Sequence, residues 1–227
     1  MKHNIAVIGS SGSVGVSLQG KLDQHPVFKE SQVDPEVESW SQLSKTPKEY
    51  KAKIRSIIES VDLVILCVAD DVAATIIEIV GDHSVKIIDC STAHRIPPDW
   101  TYGLPELQGQ RTRIKTADRV SNPGCHATAS ILTLAPLYNA EINDISAISM
   151  IGYSGGGKDM IRDYESGDGN TKAYSIGKMH KYKAEIEKYS NKKLSFQPIV
   201  LAGESQGIHL ITTLPNISPS FVINCIG

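Results

Sequence analysis

Between Asn4 and Cys90, short apolar runs alternate with amphipathic segments, and that alternation restricts the chain to few architectures. Residues 4–8 read as a strand, followed by a glycine turn and a helix presenting Val14, Leu18 and Leu22 on one side. Ile54, Ile57, Ile58 and Val61 follow the i, i+3, i+4, i+7 spacing of a helix face, and Ala73, Ile76, Ile77 and Val80 repeat it. Residues 63–69 are almost continuously apolar, as a strand covered on both faces of a parallel sheet requires, and residues 85–90 supply another. The pattern predicts a doubly wound α/β sheet. Residues 25–48 hold three prolines and little periodicity, and read as a degenerate strand with long connections.

The second half changes character. Residues 126–139 read as a helix that ends or bends at Pro136, residues 145–151 as a strand and residues 152–157 as a glycine-rich loop. Met179, Tyr182, Ile186 and Tyr189 form an apolar stripe on a further helix. Ile208, Leu210, Thr212 and Leu214 alternate with period two, as do Phe221, Ile223 and Cys225, which suits antiparallel strands covered on one face. A boundary is expected near Gly124, separating residues 1–124 from an α+β half, residues 125–227.

At 227 residues, 41% hydrophobic and 21% charged, the chain has the composition of a globular protein with a substantial core. A net charge of -2 gives no reason to expect nucleic acid or an anionic membrane as partner. No run approaches the ~18 apolar residues of a membrane span, and residues 1–12 lack the features of a signal peptide. Cys67, Cys90, Cys125 and Cys225 are scattered, without CxxC or metal-like spacing. Cys67 and Cys90 lie in apolar runs and read as buried thiols, and a reducing, cytosolic compartment is expected.

Gly9, Gly12 and Gly15 form G-x-x-G-x-x-G directly between the first strand and first helix. Glycine lets the backbone turn tightly and approach a pyrophosphate with no Cβ in the way, and the helix start offers N–H groups and a positive dipole end. Gly9, Ser11, Gly12, Ser13, Val14 and Gly15 are the candidate dinucleotide contacts, with serine hydroxyls as added donors. The plainer alternative is a turn that only packs a helix on a strand, since the spacing is not the usual G-x-G-x-x-G. No acidic residue is clearly placed at the end of a second strand to take a ribose 2′-hydroxyl, which leans toward NADP(H) over NAD.

Ser121-Asn122-Pro123-Gly124-Cys125 is turn chemistry running into a helix. It delivers Cys125 to a first helical turn, where the dipole and N–H groups stabilise a thiolate and an oxyanion on an acyl group. The alternative is a small apolar residue filling the helix start. A dinucleotide site and an activated cysteine together suggest redox chemistry at the acyl level through a thioester.

Three segments carry a resemblance: residues 89–107 (DCSTAHRIPPDWTYGLPEL), residues 121–125 with the following helix, and residues 152–158 (GYSGGGK). In this order they resemble the short type of N-acetyl-γ-glutamyl-phosphate reductases, relatives of the aspartate-semialdehyde dehydrogenases, from the glycine loop to about Thr213. The resemblance implies a Rossmann-like domain followed by an α+β catalytic domain, and an NADPH-dependent enzyme of arginine biosynthesis. It would interconvert N-acetyl-γ-glutamyl phosphate and N-acetylglutamate semialdehyde with release or uptake of phosphate. It also implies Cys125 as nucleophile and His180 as general acid/base, the latter against the plainer reading of a surface histidine. Ser91 and Gly156 fall on the cofactor side, and Arg95, Asn122 and Lys158 on the substrate side, Arg95 alternatively pairing a surface carboxylate such as Asp99.

The sequence departs from that family's pattern at Tyr182 and Ala184, where a second histidine and a proline are usual, and at His126 and Ala127, where an aromatic–proline pair is usual. It also stops at Gly227, without the C-terminal segment that normally returns to complete the cofactor domain. The uncovered apolar surface and edge strands predict a homo-oligomer. Two other readings stay open: a related acyl-phosphate reductase acting on aspartyl phosphate, and a truncated, inactive chain that binds dinucleotide or a partner subunit.

Overall fold

A computed structural model describes residues 3–22, 24–25, 31–33, 47–142, 144–176 and 180–215. The expected strand around Phe221, Ile223 and Cys225, and Met179 of the apolar stripe, lie outside those residues. The chain forms two compact units, Met1–Asn122 and Pro123–Gly227.

The first unit is built on β1 (Ile5–Ile8), β2 (Ser31–Val33), β3 (Leu63–Leu66), β4 (Lys86–Asp89), β5 (Thr101–Tyr102) and β6 (Arg119–Ser121). They form one sheet in the order β2-β1-β3-β4-β6-β5, every pairing parallel. The helices are α1 (Ser13–Leu22), α2 (Pro47–Ser60), α3 (Asp70–Val80) and α4 (Gln110–Thr116). Strand alternation divides the core. Val64 and Leu66 join Ile54 and Ile58 of α2 and Ala73 and Ile76 of α3, while Ile5, Val7 and Ile65 pack with Leu18 and Leu22 of α1. Ile76 is fully buried, and Ile76→Ala costs about 2–5 kcal/mol by transfer and cavity terms together. Of the side of α1 expected to face inward, Val14 is instead 53% exposed. Cys67 and Cys90, read as buried, are only half-buried, and their thiols hydrogen-bond to each other at the ends of β3 and β4.

The chain leaves β1 for β2 on one side and returns to β3 on the other, so the carboxyl ends of β1 and β3 flank a topological switch point. The glycine turn lies there.

The second unit carries β7 (Ile145–Gly152), β8 (Lys172–Ala173), β9 (Leu194–Leu201) and β10 (Ile208–Thr213), with α5 (Cys125–Leu134), α6 (Lys158–Glu165) and α7 (Lys181–Ser190). Its sheet runs β10-β7-β9-β8. β10 pairs antiparallel with β7, as the period-two alternation from Ile208 suggests, and β8 pairs antiparallel with β9, whereas β7 and β9 run parallel to each other. α5 stops at Leu134 and passes into a 3-10 turn at Ala135–Leu137, because Pro136 supplies no N–H to continue the helix. α5 and α7 pack together, and alternation along β7 buries Ile145, Ala147, Ser149 and Ile151 while leaving Ile148 exposed.

Candidate active site

In the first unit the glycine turn leaves no room for side chains at two positions. Gly9 has φ of 88°, and a Cβ there would stand 2.4 Å from the Cys67 carbonyl oxygen. A Cβ on Gly15 would stand 2.4 Å from the Gly9 oxygen. Gly12 donates its N–H to the Gly9 oxygen at 3.1 Å and has no neighbour nearer than 3.4 Å to an added Cβ. α1 begins at Ser13 without an acidic residue in its first turn, so its positive end is uncompensated. Ser11 and Val14 are exposed at this helix start, and Ser13 is half-buried. A backbone cradle that a Cβ would fill, at a helix N-terminus on a switch point, fits a dinucleotide pyrophosphate.

Contrary to the expectation that no acidic residue stands at the end of the second strand, one does. β2 ends at Val33, and the next residue in the sequence is Asp34, itself outside the described residues. An acidic residue therefore does follow the second strand.

Beyond β4, Ser91 is buried, and both its N–H and its hydroxyl donate to the buried Asp89 carboxylate, at 2.9 and 2.7 Å. His94 contacts the same carboxylate at 2.7 Å and stacks on Trp100. Arg95 is buried, its Nε donating to the Asn122 carbonyl at 2.8 Å and its Nη2 to the Cys90 carbonyl at 3.1 Å. The guanidinium thus staples the loop after β4 to the residue after β6. Asn122 is exposed, and its amide donates to the Asp89 carbonyl at 2.7 Å.

In the second unit Cys125 is the first residue of α5 and is exposed. Gly124 caps the helix in extended conformation, its carbonyl accepting from the Thr128 amide and hydroxyl at 2.8 and 2.9 Å. The Gly124 amide donates to Oε1 of the buried Glu185 on α7, at 2.9 Å. The first turn of α5 contains no acidic residue, and its leading N–H groups lack intrahelical acceptors, so the helix end favours negative charge at Cys125.

His180 is buried at the N-cap of α7, and its Nδ1 accepts the Tyr182 amide at 3.3 Å. The neutral ring therefore carries its proton on Nε2. Burial, and then the neighbouring Lys181 charge, hold the His180 pKa below the usual imidazole value. Its ring lies 5.6 Å from that of His126 and 5.7 Å from that of Tyr174, in an aromatic cluster completed by Tyr182 and Phe196. Gly156 closes the 3-10 turn Tyr153–Gly156, and Lys158 opens α6 beyond Gly157, both exposed.

Three residues of this unit to which the sequence assigns no role make contacts around these segments: His126, next to Cys125 in the chain, hydrogen-bonds to Tyr174, and Glu185 accepts the Gly124 amide.

Residues 4–117 match the family model described as the NAD binding domain of semialdehyde dehydrogenase, and residues 125–219 match its dimerisation domain. The chain belongs to the semialdehyde dehydrogenase family. Among curated members, it is 33% identical over 211 residues to proteins of Brucella anthropi and Brucella ovis named N-acetyl-gamma-glutamyl-phosphate reductase. The match covers 88% of this chain and 64% of each relative, so the chain spans less than two thirds of their length. Two solved structures share the fold. Aspartate semialdehyde dehydrogenase II from Vibrio cholerae, complexed with ASA, superposes with a TM-score of 0.70 at 16% identity, covering 99% of this chain and 78% of that one. Aspartate semialdehyde dehydrogenase with NADP from Candida albicans gives 0.67 at 18%, covering 99% and 76%.

Proposed function

We propose that the chain carries the reductase chemistry named for its Brucella relatives: reversible conversion of N-acetyl-γ-glutamyl phosphate to N-acetylglutamate semialdehyde and phosphate, in arginine biosynthesis. The observation that carries this reading is the exposed Cys125 thiol at the N-terminus of α5, in the same unit as a buried His180. The thiolate attacks the acyl carbon, the carbon–oxygen bond to phosphate breaks, and phosphate leaves with the electron pair. The first-turn amides of α5 stabilise the oxyanion formed on the way. Gly9, Ser11, Gly12, Ser13, Val14 and Gly15 would hold a nicotinamide dinucleotide, which when bound would supply the hydride that takes the thioester to the aldehyde level; Ser91 and Gly156 are proposed as further cofactor residues. His180 donates a proton to the oxygen of the resulting thiohemiacetal through Nε2, and removes it in reverse. His180 takes that proton back as the carbon–sulfur bond breaks, so that the aldehyde carbonyl forms and the bond's electron pair leaves with sulfur, restoring the Cys125 thiolate. Arg95, Asn122 and Lys158 are each proposed as substrate-binding residues, a guanidinium matching a carboxylate or phosphate bidentately.

NADP(H) is the proposed carrier on family resemblance, with Asp34 the residue to weigh against it. The domain division is proposed at Gly124, and the working enzyme is proposed to be a homo-oligomer. The test is phosphate-dependent reduction of NADP⁺ by N-acetylglutamate semialdehyde, run beside NAD⁺ and beside aspartate semialdehyde. Turnover that requires phosphate and favours the acetylated substrate and NADP⁺ is expected. A preference for aspartate semialdehyde moves the reading to aspartyl phosphate. Dinucleotide binding by the folded chain without any turnover moves it to a binding subunit.

A further inference from the structure

Cys67 and Cys90 stand side by side in the first unit, each one residue past the end of its strand. The register of β3 and β4 runs to Leu66 opposite Asp89, and the Cys90 amide carries it one step further by donating to the Leu66 carbonyl at 2.9 Å. That bond sets Cys90 beside Cys67. Side chains alternate along a strand, so Cys67 shares a face with Ile65, and Cys90 shares it with Ile88. All four belong to the cluster that also holds Leu18 and Leu22 of α1. Paired strands lie about 4.8 Å apart, within the Cα separation of about 4.4–6.8 Å that a disulfide spans. The Cys67 thiol already donates a hydrogen bond to the Cys90 sulfur.

The two sulfurs are not equivalent. The bond from Cys67 holds the Cys90 thiol below its ordinary pKa, with help from the Arg95 charge and against burial and Asp89. The same bond, with burial, pushes the Cys67 thiol up. Cys90 is thus the nucleophilic sulfur and Cys67 the neighbour able to resolve it, and both are half-buried, open to a small reagent. The pair also lies against the glycine turn. The Cys67 amide donates to the Ile8 carbonyl at 2.8 Å, and the Cys67 carbonyl oxygen is the atom that a Cβ on Gly9 would meet at 2.4 Å. The Cys90 carbonyl accepts from Arg95 Nη2 at 3.1 Å. Drawing these two backbones together therefore displaces an atom that the turn is packed against.

We propose that Cys67 and Cys90 are a redox modification site, closed to a disulfide by hydrogen peroxide, and that the closed form holds dinucleotide less tightly. The Cys90 thiolate attacks one peroxide oxygen, the O–O bond breaks, and hydroxide leaves and takes up a proton to become water. Cys90 is then a sulfenic acid. The Cys67 sulfur attacks the Cys90 sulfur, the S–O bond breaks, and the hydroxyl leaves as water with the Cys67 proton. The two sulfurs give up two electrons, and the peroxide takes them. Exchange with a small dithiol reverses the step. The effect on affinity rests on the proposed role of the glycine turn, whereas the disulfide does not, and neither needs Cys125.

The test treats the Cys125→Ala chain with hydrogen peroxide, blocks remaining thiols with N-ethylmaleimide and digests it with trypsin without reductant. Cleavage after Lys86 separates the two cysteines, so a link between them joins two peptides. One Cys67–Cys90 linked pair is expected, released by dithiothreitol and absent when either Cys67→Ala or Cys90→Ala is added. Calorimetric titration with NADP⁺ and NAD⁺ is expected to show the oxidised chain binding at least about fivefold more weakly than the reduced one. Either alanine variant is expected to bind equally well before and after peroxide, so one folded variant suffices. By linkage, saturating dinucleotide shifts the pair toward the dithiol in a glutathione buffer by the same factor. Peroxide that leaves Cys67 and Cys90 unlinked in the folded chain overturns the site. A linked pair with unchanged affinity overturns the coupling. A reduced chain that binds neither dinucleotide overturns the role of the turn, while the disulfide is still judged from the peptides.

Discussion

The carboxylate of Glu185, buried on α7, accepts the amide of Gly124 at 2.9 Å and so ties α7 to the residue directly before Cys125. Gly124 is buried too, and without this acceptor its N–H has no water to turn to. Glu185→Ala is expected to lose about 2 kcal/mol in urea unfolding, while Glu185→Gln, which keeps a carbonyl acceptor, loses about half of that. Equal losses in both would show that the carboxylate acts through its charge and not through this bond.

The glycine turn predicts a contrast between neighbours. Gly15→Ala drives a methyl to 2.4 Å from the Gly9 carbonyl oxygen, and the backbone must shift. Overpacking of this kind costs about 1–3 kcal/mol, so dinucleotide affinity by titration calorimetry should fall roughly tenfold or more. Gly12→Ala meets nothing nearer than 3.4 Å and should leave the fold's stability unchanged. Unaltered affinity in Gly15→Ala would remove the turn from the cofactor site.

His126 predicts an acid-side loss of stability. Its folded pKa of about 4 lies below the ordinary 6.5, so above pH 6.5 both folded and unfolded forms are neutral and the group is indifferent. As pH falls from about 6.5 to about 4 the unfolded chain takes up a proton that the fold refuses, and stability drops by roughly 3 kcal/mol. Urea unfolding across that window should lose this dependence in His126→Phe. A slope retained in full by the variant would assign it to other groups.

Among the described residues, the second sheet leaves large apolar side chains exposed. Ile148 of β7 and Ile211 of β10 pair across the strands, 41% and 47% exposed, in the region matched by the dimerisation model. Covering an isoleucine is worth about 1.5–3 kcal/mol, so Ile148→Glu should weaken self-association by more than about tenfold in light scattering. An oligomer unaffected by Ile148→Glu and Ile211→Glu would move the interface elsewhere.

Long apolar periodicities made much of the fold legible. β3, α2, α3 and β4 follow directly from residues whose spacing matches the buried faces, and the start of α5 at Cys125 follows from Asn122-Pro123-Gly124. What was not legible was made by pairing. β5 and β6 are Thr101–Tyr102 and Arg119–Ser121, too short and polar to signal a strand, and they exist because their backbones extend the ladder from β4. β9 contains Pro198, which argues against a strand until β7 is seen to pair along its whole length. Tyr174 lies far from Cys125 in sequence, between segments without a motif, and only the sheet brings it to His126. Arg95, legible as an anion binder, turns out to spend two donors on carbonyls, a use that no spacing encodes.

If Cys125 forms a thioester with the acyl group while phosphate leaves, the acylated chain accumulates when no hydride donor is present. Mixing the chain with N-acetyl-γ-glutamyl phosphate in the absence of any reductant, quenching in acid and measuring intact and peptide masses tests it most directly. One acyl adduct is expected on the Cys125 peptide, formed together with an equal amount of phosphate and missing from Cys125→Ala. Phosphate released in equal measure by Cys125→Ala, or an adduct on another residue, would contradict it.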